Sequence, residues 1–389
     1  MTSLLLAVIY LSFISLGLPD SLLGSAWPTI YQQFEVPVSY AGILSAIIAV
    51  GTIVSSLQCD RLIRRFSAGV ITAVSVAATA LALFGFSISS SFWMLCLWAI
   101  PYGLGAGCVD AALNNYVALH YASRHMSWLH CMWGVGASIR PVIMGLALTG
   151  GKGWTGGYRY IALLQTVLVV ILALSLRLWA KPDRQSEAHQ GAPLSLREIV
   201  AIPGAKSILI AFFCYCALEQ TCALWASSYL TLHHGLSAEQ AASWASLFFF
   251  GITAGRAASG FLTMRFSDPQ LIRLGQAVIL AGIFCLFLPF GSQPAQIGLV
   301  LIGLGCAPIY PCVIHSTPAT FGAERSQALI GVQMASAYVG TCLMPPLFGL
   351  IANHISIGLY PVYLLAILAV MTAAYHRLTT GQKAPANEA

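Results

Sequence analysis

An aspartate and an asparagine lie one helical turn apart in an apolar, glycine-rich stretch, "AIPYGLGAGCVDAALNNYVALHY", residues 99–121. Asp110 and Asn114 are at positions i and i+4, so on a helix their side chains share one face and can contact one solute. An ionised carboxylate in hydrocarbon costs about 2.5–3.5 kcal/mol even on lenient insertion scales. A buried carboxyl is cheaper when protonated, which is the property that a proton-coupled carrier needs. We therefore interpret Asp110 as a proton-coupling and substrate-binding residue and Asn114 as a substrate-binding residue; a structural hydrogen bond between helices is the alternative for Asp110.

Two further carboxylates, Asp20 and Glu219, also fall inside apolar stretches. Asp20 follows a proline in "GLPDS", and that proline frees a backbone carbonyl and predicts a break in the helix. Asp20 is therefore either a second proton-coupling and substrate-binding residue or a partner for the broken backbone. Glu219 has Tyr215 one turn before it on the same face. We interpret Glu219, Gln220 and Trp225 as substrate-binding residues, because carboxylates and amides bind hydroxyls and tryptophan stacks on a sugar ring; packing is the alternative.

The stretch after residue 127 carries polar and aromatic residues in one helical stripe, at His130, Trp133 and Arg140. We interpret His130 and Trp133 as substrate-binding, with hydrogen-bonded packing as the alternative for His130. Arg140 stands in "VGASIRPVIMG", where small residues otherwise favour close helix packing. Arg140 either pairs with a buried aspartate or acts as a wedge, natural or engineered, that locks the protein in an outward-open state. Gln333 is a further substrate-binding candidate, and both Gln333 and His315 are weaker candidates than His130.

Composition places these residues in a membrane. The chain has 389 residues, of which 58% are hydrophobic and 8% are charged, and its mean hydropathy is +0.81. A soluble protein carries about 25% charged residues, and apolar runs of this length cross a bilayer as helices. We predict an all-α membrane protein with twelve transmembrane helices in two pseudo-symmetric halves. The predicted spans are 3–27, 41–60, 68–88, 91–119, 127–150, 159–180, 206–231, 242–264, 271–290, 294–317, 326–352 and 357–376.

The basic residues indicate the topology, because lysine and arginine concentrate in cytoplasmic loops. Of the 18 lysines and arginines, 14 fall on one side of the membrane if both termini are cytoplasmic. Only Lys152 and Arg159 fall on the other side, and Arg140 and Arg256 lie inside spans. We predict a multi-pass protein of the cell (inner or cytoplasmic) membrane with both ends inside.

The chain also contains an internal repeat. "GTIVSSLQCDRLIRRF" begins at Gly51 and "GITAGRAASGFLTMRF" at Gly251, and "GLG" recurs with the same offset at 103–105 and 303–305. A parallel duplication of six helices with a site between the halves is a transporter architecture. We predict an N-terminal half at 1–180, a cytoplasmic central loop at 181–205, a C-terminal half at 206–377 and a cytoplasmic tail at 378–389.

The segment after the second span, "SLQCDRLIRRF", resembles the signature G-x-x-x-D-R-x-G-R-R of the major facilitator superfamily, and its matching residues are Asp60, Arg61, Arg64 and Arg65. The resemblance implies that these four residues form a conformational latch on the cytoplasmic side. An aspartate at a helix end can also accept hydrogen bonds from a neighbouring helix N-terminus.

Within the superfamily the chain resembles the fucose permease-like branch of sugar–proton symporters. "GLPDSLLGSAWP" places Asp20 where that branch has an essential aspartate, and "GLGAGCVDAALNNYV" resembles its pattern G-L-G-x-x-E-x-x-x-N, with Asp110 in place of the glutamate and Asn114 as the asparagine. "GITAGRAASGFL" resembles its G-R-x-x-S-G pattern and carries Arg256, which we interpret as a counter-ion or as a latch between the halves.

These features predict a secondary active transporter, a proton-coupled symporter of a sugar or a similar polyhydroxylated solute that works by alternating access. The alternative is a proton-coupled exporter of drugs or metabolites, and sodium coupling stays open. No catalytic motif, phosphate loop or metal-ligand cluster occurs in the sequence, so we expect no enzyme activity, no cofactor and no metal. The expected partners are a small-molecule substrate, protons and membrane lipid, without nucleic acid, and the expected state is a monomer.

Overall fold

The structure is a computed structural model that describes residues 2–19, 22–37, 40–179 and 194–381. These residues form α-helices, short 3-10 turns and loops, with no β-strand among them. The α-helices are α1 (Thr2–Gly17), α2 (Leu22–Gln33), α3 (Ala41–Phe66), α4 (Ala68–Ser87), α5 (Phe92–His120), α6 (Ser123–Thr149), α7 (Gly153–Ser175), α8 (Leu196–Ala201), α9 (Ala205–His234), α10 (Ala238–Leu262), α11 (Asp268–Leu286), α12 (Gln293–Phe321), α13 (Ala323–His354) and α14 (Tyr360–Gly381).

The predicted all-α membrane fold is confirmed. Twelve helical spans of the described chain are long and apolar enough to cross a membrane, and their ends agree with the predicted ones to within six residues. The first span, Leu4–Gly24, contains the predicted break, because α1 ends at Gly17 and α2 begins at Leu22.

The first compact unit contains Met1–Tyr116 and Leu129–Pro193. One part of its hydrophobic core is an aromatic cluster. In this cluster Trp27 packs against Phe92, and separately Phe86 packs against Tyr158. Within this unit α1 and α6 approach closely at Gly136, which lies on α6. A Cβ atom on Gly136 of α6 would overlap the backbone carbonyl of Ile14.

The second compact unit contains Val117–Trp128 and Leu194–Ala389. In it α9 packs against α13 and α14, and α12 packs against α10 and α11. The short helix α8 begins with a capping box in which Ser195 and Glu198 exchange hydrogen bonds. The Ser195 hydroxyl and backbone N–H both donate to the Glu198 carboxylate and hold the pKa of that carboxyl below its usual range.

Residues 117–128 pack with the second unit, although we predicted them as part of the N-terminal half. They comprise the end of α5, the turn after it and the start of α6, and we call them the α5–α6 connection. The predicted boundary at residue 180 lies outside the described residues, so that division stays a prediction. The predicted central loop contains α8, and α14 continues past the predicted start of the tail at residue 378 to Gly381.

We expect Gly136→Ala to destabilise the protein by about 1–3 kcal/mol, because the new methyl group meets a backbone atom that cannot rotate away. The matched control is Gly145→Ala on the same helix, where nothing lies within 4 Å of an added Cβ atom. Alanine favours a helix over glycine by about 1 kcal/mol, so the control should melt at or above the wild type. Thermal unfolding in detergent checks both, and equal melting temperatures of the two variants would contradict the close helix approach.

Candidate functional site

The structure brings Asp110, Asn114 and His130 together in the first unit. The Asn114 side-chain amide donates to Asp110 Oδ1 at 2.8 Å and to the Asp110 backbone carbonyl at 3.0 Å. His130 Nε2, on α6, lies 3.0 Å from Asn114 Oδ1. All three residues are buried, with 6%, 0% and 5% of their surface exposed. The predicted pair of Asp110 and Asn114 on α5 is therefore joined to α6 through a hydrogen bond to His130.

The geometry of this network fixes the direction of its hydrogen bonds. Since the Asn114 nitrogen donates to the Asp110 carboxyl, its amide oxygen must be the atom that faces His130. An amide oxygen only accepts, so His130 Nε2 carries a proton. Phe13 of α1 packs against the same imidazole ring, with centroids 5.3 Å apart and planes at 84°. A carboxyl, a neutral amide and an imidazole thus form one oriented hydrogen-bonded chain.

A second charged pair lies in the second unit, where Arg256 Nη2 of α10 is 3.4 Å from Glu219 Oε1 of α9. The arginine side chain is 5% exposed and the glutamate side chain is 22% exposed. Tyr215, one turn before Glu219, is fully buried and packs against Phe212 and Tyr310. Arg256 and Glu219 therefore form an ion pair, and the predicted role of Arg256 as a latch stays a prediction.

The other predicted substrate-binding residues are more dispersed. Gln333 is fully buried, and its side-chain amide donates a hydrogen bond to Thr317 Oγ1 at 3.2 Å. The Trp225 indole N–H donates to the Pro345 carbonyl at 2.9 Å, which ties α9 to α13. Gln220 is exposed beside Glu219, and Trp133 is half-buried on α6.

The predicted latch residues lie at the end of α3. Asp60 is buried and accepts a hydrogen bond from Arg64 Nε at 3.0 Å, one turn along the helix. Arg61 donates to Gln58, and the Arg65 guanidinium lies 5.2 Å from the centre of the Phe66 ring. Of these three arginines, Arg64 is the one that binds the Asp60 carboxylate, and the role of the four residues as a latch stays a prediction.

Two predicted residues lie beyond what the structure describes. Asp20 is outside the described residues, and so is the side chain of Arg140, whose backbone belongs to α6. Near the break in the first span, Gln165 of α7 donates to the Ser15 carbonyl at 3.0 Å. That carbonyl is four residues before Pro19, which has no N–H to offer it. The freed carbonyl is thus bound by Gln165, and the role of Asp20 stays a prediction.

The sequence model of the Major Facilitator Superfamily matches residues 9–229 and 208–389. The chain belongs to the Major Facilitator Superfamily. Proteins of this superfamily are membrane transporters, so this chain is a transporter, and its predicted resemblance to the superfamily is confirmed.

Known relatives of this superfamily member are distant in sequence and close in fold. "Bypass of stop codon protein 6" of Saccharomyces cerevisiae is 23% identical, over 92% of this chain and 79% of the yeast protein. A crystal structure of FucP, the fucose:proton symporter of E. coli, in its outward conformation has a TM-score of 0.80 at 16% identity, with 96% and 98% of the two chains covered. The proton:xylose symporter XylE has a TM-score of 0.77 at 12% identity, over 97% and 95% of the chains. At these identities the two structures show the fold.

Several buried side-chain contacts of this transporter were not found from the sequence. Gln165 and Thr317 are partners of buried groups, and isolated polar residues in apolar spans would have been the signal for both. His315, a weaker candidate, is bound to Asp268 of α11 at 2.6 Å. Asp268 stands at a predicted loop edge, where a carboxylate is ordinary, so nothing in its sequence context pointed to this pair.

Proposed function

We propose that this transporter is a proton-coupled symporter of a sugar or a similar polyhydroxylated solute, working by alternating access. The observation that carries the proposal is the buried chain of Asp110, Asn114 and His130. In it the Asp110 carboxyl takes up and releases the transported proton. A buried carboxyl changes its charge at a large cost in hydration, so its protonation state responds strongly to whether a solute or water occupies the site.

In this mechanism the neighbours of Asp110 hold its orientation. Asn114 donates to one carboxyl oxygen in both protonation states, and His130 holds the Asn114 amide in that orientation. The other oxygen of Asp110 carries the proton. Asp20 is proposed as a second proton-coupling and substrate-binding carboxyl in the first unit.

Glu219 serves a different purpose from Asp110 in this proposal. The buried guanidinium of Arg256 lies 3.4 Å from the Glu219 carboxylate and holds it in place. A fixed carboxylate with 22% of its side chain exposed can accept hydrogen bonds from solute hydroxyls. Gln220, Trp133, Trp225 and Gln333 are proposed as further solute contacts.

The similar structures support the choice of a sugar. FucP and XylE are named as proton symporters of fucose and of xylose, and both share this fold along nearly the whole chain. We further propose that Asp60, Arg61, Arg64 and Arg65 latch one side of the transport cycle. Arg140 biases the cycle toward one state, and the protein is a monomer in the cytoplasmic membrane with both termini inside.

The test is ligand binding to the purified protein, measured as thermal stabilisation by a panel of sugars between about pH 5 and pH 8. The proposal expects one sugar to stabilise the wild type with an affinity that titrates like a carboxyl, and expects Asp110→Asn to remove that titration. If no sugar binds and lipophilic cations or other metabolites do, the exporter alternative replaces the symporter.

A further inference from the structure

The α5–α6 connection, residues 117–128, is held within the second unit by side chains of three helices. Ser123 Oγ donates to Asp268 Oδ1 of α11 at 2.5 Å. The Tyr121 backbone carbonyl faces His315 Nε2 of α12 at 3.2 Å. Trp128 packs edge-on against Phe261 of α10, with ring centroids 5.6 Å apart.

His315 has an acceptor on each side of its ring. Its Nδ1 lies 2.6 Å from Asp268 Oδ2, and its Nε2 lies 3.2 Å from the Tyr121 carbonyl oxygen. A backbone carbonyl only accepts, so Nε2 must carry a hydrogen. The 2.6 Å contact between Nδ1 and Oδ2 then requires a second proton, whether it is assigned to the ring or to the carboxyl. The full set of contacts therefore exists only when the His315–Asp268 pair holds this extra proton.

Removing that proton must break one contact. If Nε2 keeps its hydrogen, the lone pair of Nδ1 faces a carboxylate oxygen at 2.6 Å, which is repulsive. If the ring hydrogen moves to Nδ1, the lone pair of Nε2 faces the Tyr121 carbonyl and the bond to the connection is lost. Either arrangement weakens the attachment of residues 117–128.

We propose that the His315–Asp268 pair is a protonation-dependent contact that holds the α5–α6 connection on α11 and α12 and releases it as pH rises. The proposal concerns a proton site separate from Asp110 and does not depend on which solute is carried.

The surroundings of the pair allow it to exchange protons with water. It lies on the wall of an open cavity of about 790 Å³ that is also lined by Ser123, Thr263, Ser316 and Thr320. The His315 side chain is 21% exposed and the Asp268 side chain is 12% exposed. Titratable or charged groups that act on Asp268 include Cys312 on α12 and Tyr375 on α14, and Arg273 of α11 acts on Tyr375. Arg124 and His125 are charged or titratable groups of the connection itself.

The test is amide hydrogen exchange of the full-length protein in detergent, read by mass spectrometry on peptides that cover residues 117–128. Rates are measured between about pH 5.5 and pH 9 and corrected for the intrinsic pH dependence of exchange. We expect the corrected rate in this segment to rise about tenfold across the titration of the pair, since a hydrogen bond to a charged group is lost. His315→Gln should remove that rise, because glutamine does not titrate.

The matched control is His376→Gln, which removes an exposed histidine of α14 and should leave the rise unchanged. Ser123→Ala should loosen the segment at every pH and keep the rise, since Ser123 bonds the other carboxyl oxygen. Asp110→Asn should keep the rise as well, so failure of the proposed transport role would not affect this result. A flat wild-type profile, or a rise that persists in His315→Gln, would overturn the proposal.

Discussion

Asp110→Asn is expected to abolish proton-driven accumulation of the solute in proteoliposomes while leaving solute exchange in place. Asparagine is close to isosteric with aspartate and can still bond the Asn114 side chain, but it cannot take up a proton. For a symport of one proton per solute, a gradient of about two pH units supports an accumulation of about 100-fold, since each pH unit is worth about 1.36 kcal/mol. Under the same gradient the variant should bring the solute only to about the same concentration inside as outside.

The measurement pairs gradient-driven uptake with counterflow, in which internal solute drives the entry of labelled solute without a proton gradient. Counterflow should persist in Asp110→Asn, because empty and loaded forms still interconvert. The matched control is Glu198→Gln, which makes the same chemical change at an exposed carboxylate outside the spans, where glutamine still supports a capping box. Normal accumulation in Asp110→Asn would disprove the proton role, and loss of both uptake and counterflow would reassign Asp110 to solute binding alone.

Glu219→Gln is expected to destabilise the fold by about 3–5 kcal/mol, because it leaves the buried Arg256 guanidinium without its counter-ion. Arg256→Gln should cost less, about 1–3 kcal/mol, because the Glu219 side chain is 22% exposed and can be hydrated. The order of the two costs follows from the unequal burial of the two partners. Both variants should also bind the solute more weakly.

A double-mutant cycle checks this pair, with the free energies of unfolding measured by denaturant titration in mixed micelles. The double variant Glu219→Gln with Arg256→Gln should be more stable than the sum of the single losses predicts, by about 1–3 kcal/mol, because no buried charge remains. The control is Glu324→Gln at the start of α13, an exposed carboxylate whose removal should change stability little. Additive losses in the cycle would show that the two side chains do not act as an ion pair.

The sequence by itself determined the features that depend on local periodicity. The apolar runs are long enough to fix twelve helical spans, and the proline in "GLPDS" fixed the break between α1 and α2. The spacing of Asp110 and Asn114 placed them on one face, and the structure has them in direct contact. Each of these follows from 3.6 residues per turn or from a missing backbone N–H, which neighbouring helices do not alter.

Only the tertiary structure decided which residues meet across helices. His130 contacts Asn114, Glu219 pairs with Arg256, and Gln333 is hydrogen-bonded to Thr317. The structure also shows that Gln165 donates a hydrogen bond to the freed Ser15 carbonyl. The physical reason is that lipid is as apolar as leucine, so hydrophobic patterning says little about how a membrane helix is rotated. That rotation is set by close packing of small residues and by hydrogen bonds between helices, which appear only when the helices are assembled.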